Sequence, residues 1–362
     1  MKNTTKKTSI RLAIFFYVIA VSGVLVIADS CNKSKKAADT VSQASTAATN
    51  AAAEPLQQNM PQTNLVSVVD ISTSADGTGR VIFRELEEAF NVTDAAVLSA
   101  LKTAQSENKP ITITFDPWKA VVTKVNASSE QERASYCARQ IVKSPGSSHQ
   151  VDLSTADPNG LNDPEALGVL NTTSLSTGLT DVIPDMATAQ LMFDYITHQC
   201  CAVPGPYGVD YCITFQYCED GCYARAHKMC YILNTRFHYA THKVFSFAYP
   251  SAYTLSVKAE KWGGCCINWW YHVAPLVNIK TPSGTKAYVI DPAMFDQPVL
   301  LATWLHAQQN PACASGNAKV TSFNIQPTTS YSPNDTATFD TDPMYTNTDH
   351  TLTVYHSLIT CP

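Results

Sequence analysis

Apolar and polar positions along the chain fall into distinct regimes. From Leu12 to Ala28 the residues are almost continuously apolar, with Lys2, Lys6, Lys7 and Arg11 before them and Ala28-Asp29-Ser30-Cys31 after them. A basic stretch, an apolar run and small residues beside a cleavage point describe an export signal over residues 1–31. Residues 32–63 carry no aromatic side chain and are dominated by Ala, Ser, Thr, Asn and Gln. Such a composition buries too little surface to offset chain entropy, so this stretch reads as a disordered tether.

Regular periodicity starts at Arg80. Val81-Ile82-Phe83 is strand-like, and Thr93-Asp94 opens a helix with Val97, Leu98, Leu101 and Ala104 on one face, closed near Asn108 and Pro110. Ile111 to Phe115 alternates as a half-buried strand, Val121 to Val125 is its pairing partner, and Ser129 with Glu132 forms a capping box for a helix through about Lys143. Residues 64–150 therefore read as a small α+β unit. Residues 144–183 hold Pro145, Gly146, Pro158, Gly160, Pro164, Gly168 and Gly178 among Ser, Thr, Asn and Asp, which leaves no long periodic element. The stretch 151–180 is expected to be an exposed, cleavable linker. Periodicity resumes over 181–362, where Asp185 caps a helix bearing Met186, Ala189, Met192, Phe193 and Ile196. No internal repeat is evident.

The chain has 362 residues and a net charge of -5, with no Lys/Arg cluster outside the N-terminus, which argues against nucleic acid as partner. Twelve cysteines, ten of them from Cys200 onward, point to an oxidising compartment and agree with the export signal. A bacterial exported protein is expected. Cys31 directly after small residues predicts lipidation there, giving a periplasmic or surface lipoprotein anchored through Cys31; ordinary cleavage would give a secreted one.

Chemistry concentrates in the cysteine-rich half. Asp220-Gly221 forms a turn before a helix whose face Cys222, Ala226, Met229, Leu233 is small or apolar, which sets Cys222 in the first turn. Free N–H groups and the positive helix end there favour thiolate, the nucleophilic form. Downstream, Cys265 to Lys280 and Thr285 to Asp291 read as an antiparallel hairpin about Thr281-Pro282-Ser283-Gly284. A register that pairs Thr281 with Gly284 carries His272 opposite Ala293, with Asp291 one diagonal step away on the same face. Nucleophile, base and orienting acid are then Cys222, His272 and Asp291. Alternation sends Asn268, Trp270 and His272 to one face and Trp269 and Tyr271 to the other, which makes Trp270 a candidate wall of the substrate groove. His227 lies off the Cys222 face and is read as a packing residue. Cys200, Cys201, Cys218, Cys222, His227 and Cys230 cluster in sequence, but no CxxC pair occurs among them, and neither metal nor cofactor is expected. With Cys222 set aside, the nine other late cysteines form at most four bridges, and connectivity is not readable.

The segments Cys212-Ile213-Thr214-Phe215, Asp220-Gly221-Cys222-Tyr223-Ala224-Arg225-Ala226-His227-Lys228-Met229, Cys265-Cys266, Tyr271-His272-Val273-Ala274 and Ile290-Asp291-Pro292 together resemble, in order, the bacterial protein-glutaminases. The resemblance runs from about Val182 to the C-terminus and more weakly over 79–143, which looks like that family's pro-region. It implies an α+β fold: a papain/transglutaminase-like core with an antiparallel sheet and a nucleophile-bearing helix, behind a small α+β pro-domain. It further implies hydrolysis of the side-chain amide of protein-bound glutamine by Cys222, His272 and Asp291, in a chain held inactive until an activating protease cuts it. Arg84 to Asn91 is the segment expected in the cleft, with Ala89 small enough to pass the thiol without reacting. Pro275 departs from the pattern and requires its missing N–H to fall at an edge or bulge. Cys218 and Cys230 are also departures. Alternatives are a transglutaminase, another thiol amidase or a cysteine protease, and a non-enzymatic disulfide-rich surface-binding lipoprotein.

Overall fold

The computed structural model describes residues 61–116, 119–132, 141–143, 147–170, 178–201, 211–313 and 317–361, all within one compact unit, Ala44–Pro362. The export signal, Cys31 and all of the tether except its last three residues lie outside the described residues. Among the described residues no helix is long and apolar enough to cross a membrane.

The first layer is a six-stranded sheet built from β1 (Gln62–Val66), β2 (Val68–Thr73), β3 (Gly79–Phe83), β4 (Ala89–Val92), β5 (Ile111–Asp116) and β6 (Val121–Ala127), in the order β1-β5-β6-β4-β3-β2. Helix α1 (Ala95–Ser106) packs on it with Leu98, Leu101 and Ala104. Asp94 caps this helix by accepting from the N–H groups of Ala96 and Val97. Strand β1 starts inside the stretch read as tether. The Ser129–Glu132 capping box is present in both directions, at 2.6 and 3.2 Å. The helix expected through Lys143 stops earlier, because Ile141–Lys143 is a strand, β7.

That strand and β8 (Ser147–Gln150) do not join the first sheet. β7 pairs with β19 (Thr338–Thr341), itself paired with β18 (Ser330–Pro333), and β8 forms the edge of the large sheet beside β17 (Ser322–Pro327). Residues 151–170 differ from an exposed linker: Leu153, Leu167 and Val169 are buried in the main core, and the Asn162 side chain accepts the Ala302 N–H at 2.9 Å. Proline and glycine break the periodicity here, yet the few apolar residues between them still find the core.

The large sheet runs β15 (Val299–Leu300), β14 (Gly284–Val289), β13 (Tyr271–Thr281), β10 (His242–Phe247), β17, β8, with β9 (Val182–Ile183) also on β13. Against it pack α2 (Met186–Thr197), through Ala189, Met192, Phe193 and Ile196, and α3 (Cys222–Thr235). A small sheet of β11 (Tyr253–Lys258), β12 (Cys266–Trp269) and β16 (Asn317–Ala318) and the helices α4 (Leu301–Ala307) and α5 (Thr346–Tyr355) complete the unit. Disulfides join Cys201 to Cys212, Cys265 to Cys361 and Cys266 to Cys313, while Cys200, Cys218, Cys222 and Cys230 are free and buried.

Candidate active site

Helix α3 begins at Cys222 because Gly221, at φ +87°, takes the left-handed turn that the preceding loop requires. A Cβ there would come within 2.9 Å of the Tyr355 ring. One turn into the helix, Arg225 donates to the carbonyls of Tyr217 and Asp220 at 2.6 and 2.7 Å, which holds the loop against the helix start.

The β13–β14 hairpin pairs Thr281 with Gly284 and Leu276 with Val289, the register read from the sequence. Pro275 sits in a central strand, since β13 is flanked by both β14 and β10. Its carbonyl accepts the Ile290 N–H at 3.0 Å, so its missing N–H falls on that same side, where β14 has just ended. The ladder stops there and the chain is free to bring Asp291 towards His272, whose Nε2 lies 2.9 Å from Asp291 Oδ2.

Two indoles stack on the imidazole. Trp269 stacks on it at 4.4 Å and 9°, and Trp304 lies on it at 5.5 Å and 26° while donating its indole N–H to Asp291 Oδ2 at 2.9 Å. Burial pulls the His272 pKa down, but the Asp291 and Glu87 carboxylates outweigh it and hold the imidazole above its ordinary value. Burial likewise pushes Asp291 up, and the His272 charge together with the two hydrogen bonds holds it below the usual carboxylate range.

The partner of the thiol comes from the other half of the chain. Glu87 Oε2 accepts the Cys222 backbone N–H at 2.7 Å, and Glu87 Oε1 is 3.6 Å from His272 Nδ1. The Glu87 main chain is held too: its carbonyl accepts the Trp270 N–H at 2.8 Å, and Glu88 bridges to Trp269 in antiparallel fashion. The Trp270 indole N–H donates to the carbonyls of Leu86 and Phe83 at 2.8 and 3.1 Å. Cys222 is pushed well above an ordinary thiol by burial and then by the Glu87 charge, against the pull of Arg225.

Cys222, His272 and Asp291 are thus brought together, and Trp270 lies against residues 83–87. Two expectations are corrected. The residue at the thiol is Glu87, not Ala89, because Ala89 pairs with Ile82 as the first residue of β4. Trp269, not Trp270, shares a face with His272, because the chain bends at Trp270 between β12 and β13 and the alternation restarts. His227 is a buried packing residue away from the thiol, in contact with Lys243 and the Asp342 carbonyl. Nothing in the sequence pattern singled out Trp304 or Glu87.

Comparison with known proteins gives a consistent picture. A family model described as Glutaminase matches residues 189–308. The crystal structure of a pro-protein-glutaminase is similar at 26% identity and TM-score 0.59, covering 83% of this chain and 95% of that one. A mutant of pro-protein-glutaminase has the same identity and coverage, with TM-score 0.61. The solution structure of protein-glutaminase from Chryseobacterium proteolyticum is 36% identical over 51% of this chain and 93% of that one, with TM-score 0.44. No curated protein sequence matches.

Proposed function

The chain belongs to the protein-glutaminase family, hydrolases acting on glutamine amides, and from that premise we propose that Cys222, His272 and Asp291 deamidate protein-bound glutamine and that residues 84–91 keep the uncut chain inactive. One observation carries this reading: a glutamate side chain, the reaction product, sits in the cleft on a peptide whose backbone is hydrogen-bonded on both sides. Replacing the Glu87 carboxylate by a carboxamide turns this arrangement into a substrate complex.

In the open site the Cys222 thiolate attacks the carboxamide carbon, and the Cys222 N–H, which now holds Glu87 Oε2, stabilises the oxyanion. His272 Nδ1 faces the thiol because Nε2 is engaged by Asp291. It delivers a proton to the departing ammonia, then takes one from water as that water cleaves the thioester. Glutamine and water become glutamate and ammonia.

An activating protease would start release of the pro-region, which then has to dissociate from the cleft; because β7, β8 and residues 151–170 pack with the catalytic half, the cut that frees the first sheet has to fall before β7. Cys31 is proposed to carry a lipid anchor; a Cys31→Ser chain that stays membrane-bound would remove that part. The function is tested by incubating the processed protein with a glutamine-containing protein and no added amine. Ammonia release with a mass gain of about 1 Da per site is expected. Peptide cleavage would mean a protease, and turnover only with an amine acceptor a transglutaminase.

A further inference from the structure

Three donor atoms of different chemistry converge on one buried point. A carboxylate oxygen of Glu87, the Cys222 sulfur and a His272 ring nitrogen all lie within 4.8 Å of one another. The Glu87 and His272 side chains are 0% and 2% exposed. Each has one polar atom engaged, Oε2 by the Cys222 N–H and Nε2 by Asp291, and one without a hydrogen-bond partner, Oε1 and Nδ1. Those two atoms face each other at 3.6 Å, an ion pair when His272 is protonated but too long for a hydrogen bond. Buried polar atoms are seldom left this way, because each has given up its water.

We propose that these residues form an inhibitory zinc site of the uncut chain, with Zn²⁺ held by the Cys222 thiolate, the His272 imidazole and the Glu87 carboxylate. The proposal rests on the reading of residues 84–91 as the segment that fills the cleft. Thiolate, imidazole and carboxylate are the three ligand types zinc takes, and in a tetrahedral site with zinc–ligand bonds of about 2.0 to 2.3 Å the ligand atoms are about 3.3 to 3.6 Å apart. The Glu87–His272 separation is already of that size. The supporting shell is in place as well: Asp291 holds the far nitrogen of His272, the arrangement that fixes the tautomer of a zinc-bound imidazole. Two indoles fix the ring plane.

Charge favours a cation here. Binding Zn²⁺ forms bonds to the Cys222 sulfur, His272 Nδ1 and a Glu87 oxygen and releases the thiol proton, together with the Nδ1 proton of a charged His272, to solvent, with no change of oxidation state. The ligand set spans both halves of the chain, so zinc and the docked segment stabilise each other. Removing the segment removes one of three protein ligands and leaves the metal on two. Zinc would mask the nucleophile during export and leave with the segment that completes its site.

The test uses the full-length uncut chain, stripped with a chelator and titrated with Zn²⁺ against a chromophoric competitor, with Co²⁺ as a spectroscopic probe. One tight equivalent is expected, with a sulfur-to-cobalt charge-transfer band that disappears in Cys222→Ser. Glu87→Ala should weaken zinc binding by at least about a hundredfold, the upper end of the loss when only an outer-shell partner is removed. Circular dichroism checks that both variants fold. No tight equivalent in the parent chain, or unchanged binding in either folded variant, overturns the proposal. Zinc should also slow the onset of activity after proteolysis, and a chelator should restore it. A chain that binds no zinc yet releases ammonia after cutting loses only this proposal. A chain that binds zinc but never deamidates loses the glutaminase reading instead.

Discussion

Glu87 Oε2 lies 2.7 Å from the backbone nitrogen of Cys222, so the carboxylate caps the same helix end that would otherwise favour a thiolate. The sequence predicts a depressed thiol pKa from that helix end and a nearby imidazole. In the docked state burial and the Glu87 charge reverse the direction, and Cys222 is held protonated. Both statements describe one residue in two states of the chain. Iodoacetamide should therefore label Cys222 very slowly in the uncut chain near neutral pH and faster by roughly a hundredfold or more after release, since each pKa unit is tenfold in thiolate. Equal labelling before and after, or fast labelling of Cys200, Cys218 or Cys230 instead, would remove Cys222 as nucleophile.

Glu87→Gln gives a sharper test of the same contact. The substitution conserves shape and sets a carboxamide where the product carboxylate now lies. The uncut variant should deamidate its own residue 87, seen by peptide mass spectrometry as a gain of about 1 Da that is absent when Cys222→Ser is combined with it. A stable glutamine at residue 87 in a folded variant would show that the docked geometry is not that of substrate.

Asp291 receives two donors on one oxygen, His272 Nε2 and the Trp304 indole, each at 2.9 Å. Asp291→Asn should lower kcat by up to ~10⁴, the loss seen when the orienting acid of a serine triad is amidated. Trp304→Phe keeps a ring against His272 but removes the N–H that helps hold Asp291 ionised. A smaller fall in kcat is expected, with the acidic limb of the pH–rate profile displaced, which a merely space-filling role would not produce. An unshifted profile would confine Trp304 to packing.

The parts of the site legible in the sequence are those governed by local rules. A turn followed by an amphipathic helix placed Cys222, and a two-residue hairpin turn fixed the register that carries His272 towards Asp291. Trp269 escaped because alternation holds only within one strand, and a bend at Trp270 separates β12 from β13. Glu87 escaped for a different reason. It is 135 residues from Cys222, and no periodicity distinguishes a carboxylate docked on a helix end from a solvated one. The stretch 151–170 looked open because Pro and Gly abolish regular structure, but irregular backbone still buries Leu153, Leu167 and Val169.

The contact between the two halves is sensitive to pH. Glu88 is buried among the charges of Glu219, Asp220 and Asp116, which raise it, and of Arg80, which opposes them. Leu86, Glu88 and Phe90 line one small cavity together with Glu219 and Asp220. Burial, followed by the Glu87 charge, pushes Glu219 and Asp220 up to about 8, from ordinary values of 4.5 and 3.8. Burial and those two neighbours raise Glu88 well above 4.5. Groups raised in this way bind protons more tightly when docked than when released. Their contribution is whole below the ordinary carboxylate values and is lost as pH rises through about 8. His272, also raised, acts in the same direction. Asp291 is held down by His272, Trp304 and Arg225, all in its own half of the chain, so release of the segment leaves those partners in place. Docking should therefore weaken steadily from roughly pH 5 to pH 9. After proteolytic cutting, the onset of activity should be at least about tenfold faster at the alkaline end, corrected for the pH–rate profile of fully activated enzyme. Glu88→Gln, which removes one titrating member without adding charge, should flatten that dependence. Onset that is fastest in acid would show that ionised, not protonated, carboxyl groups hold the two halves together.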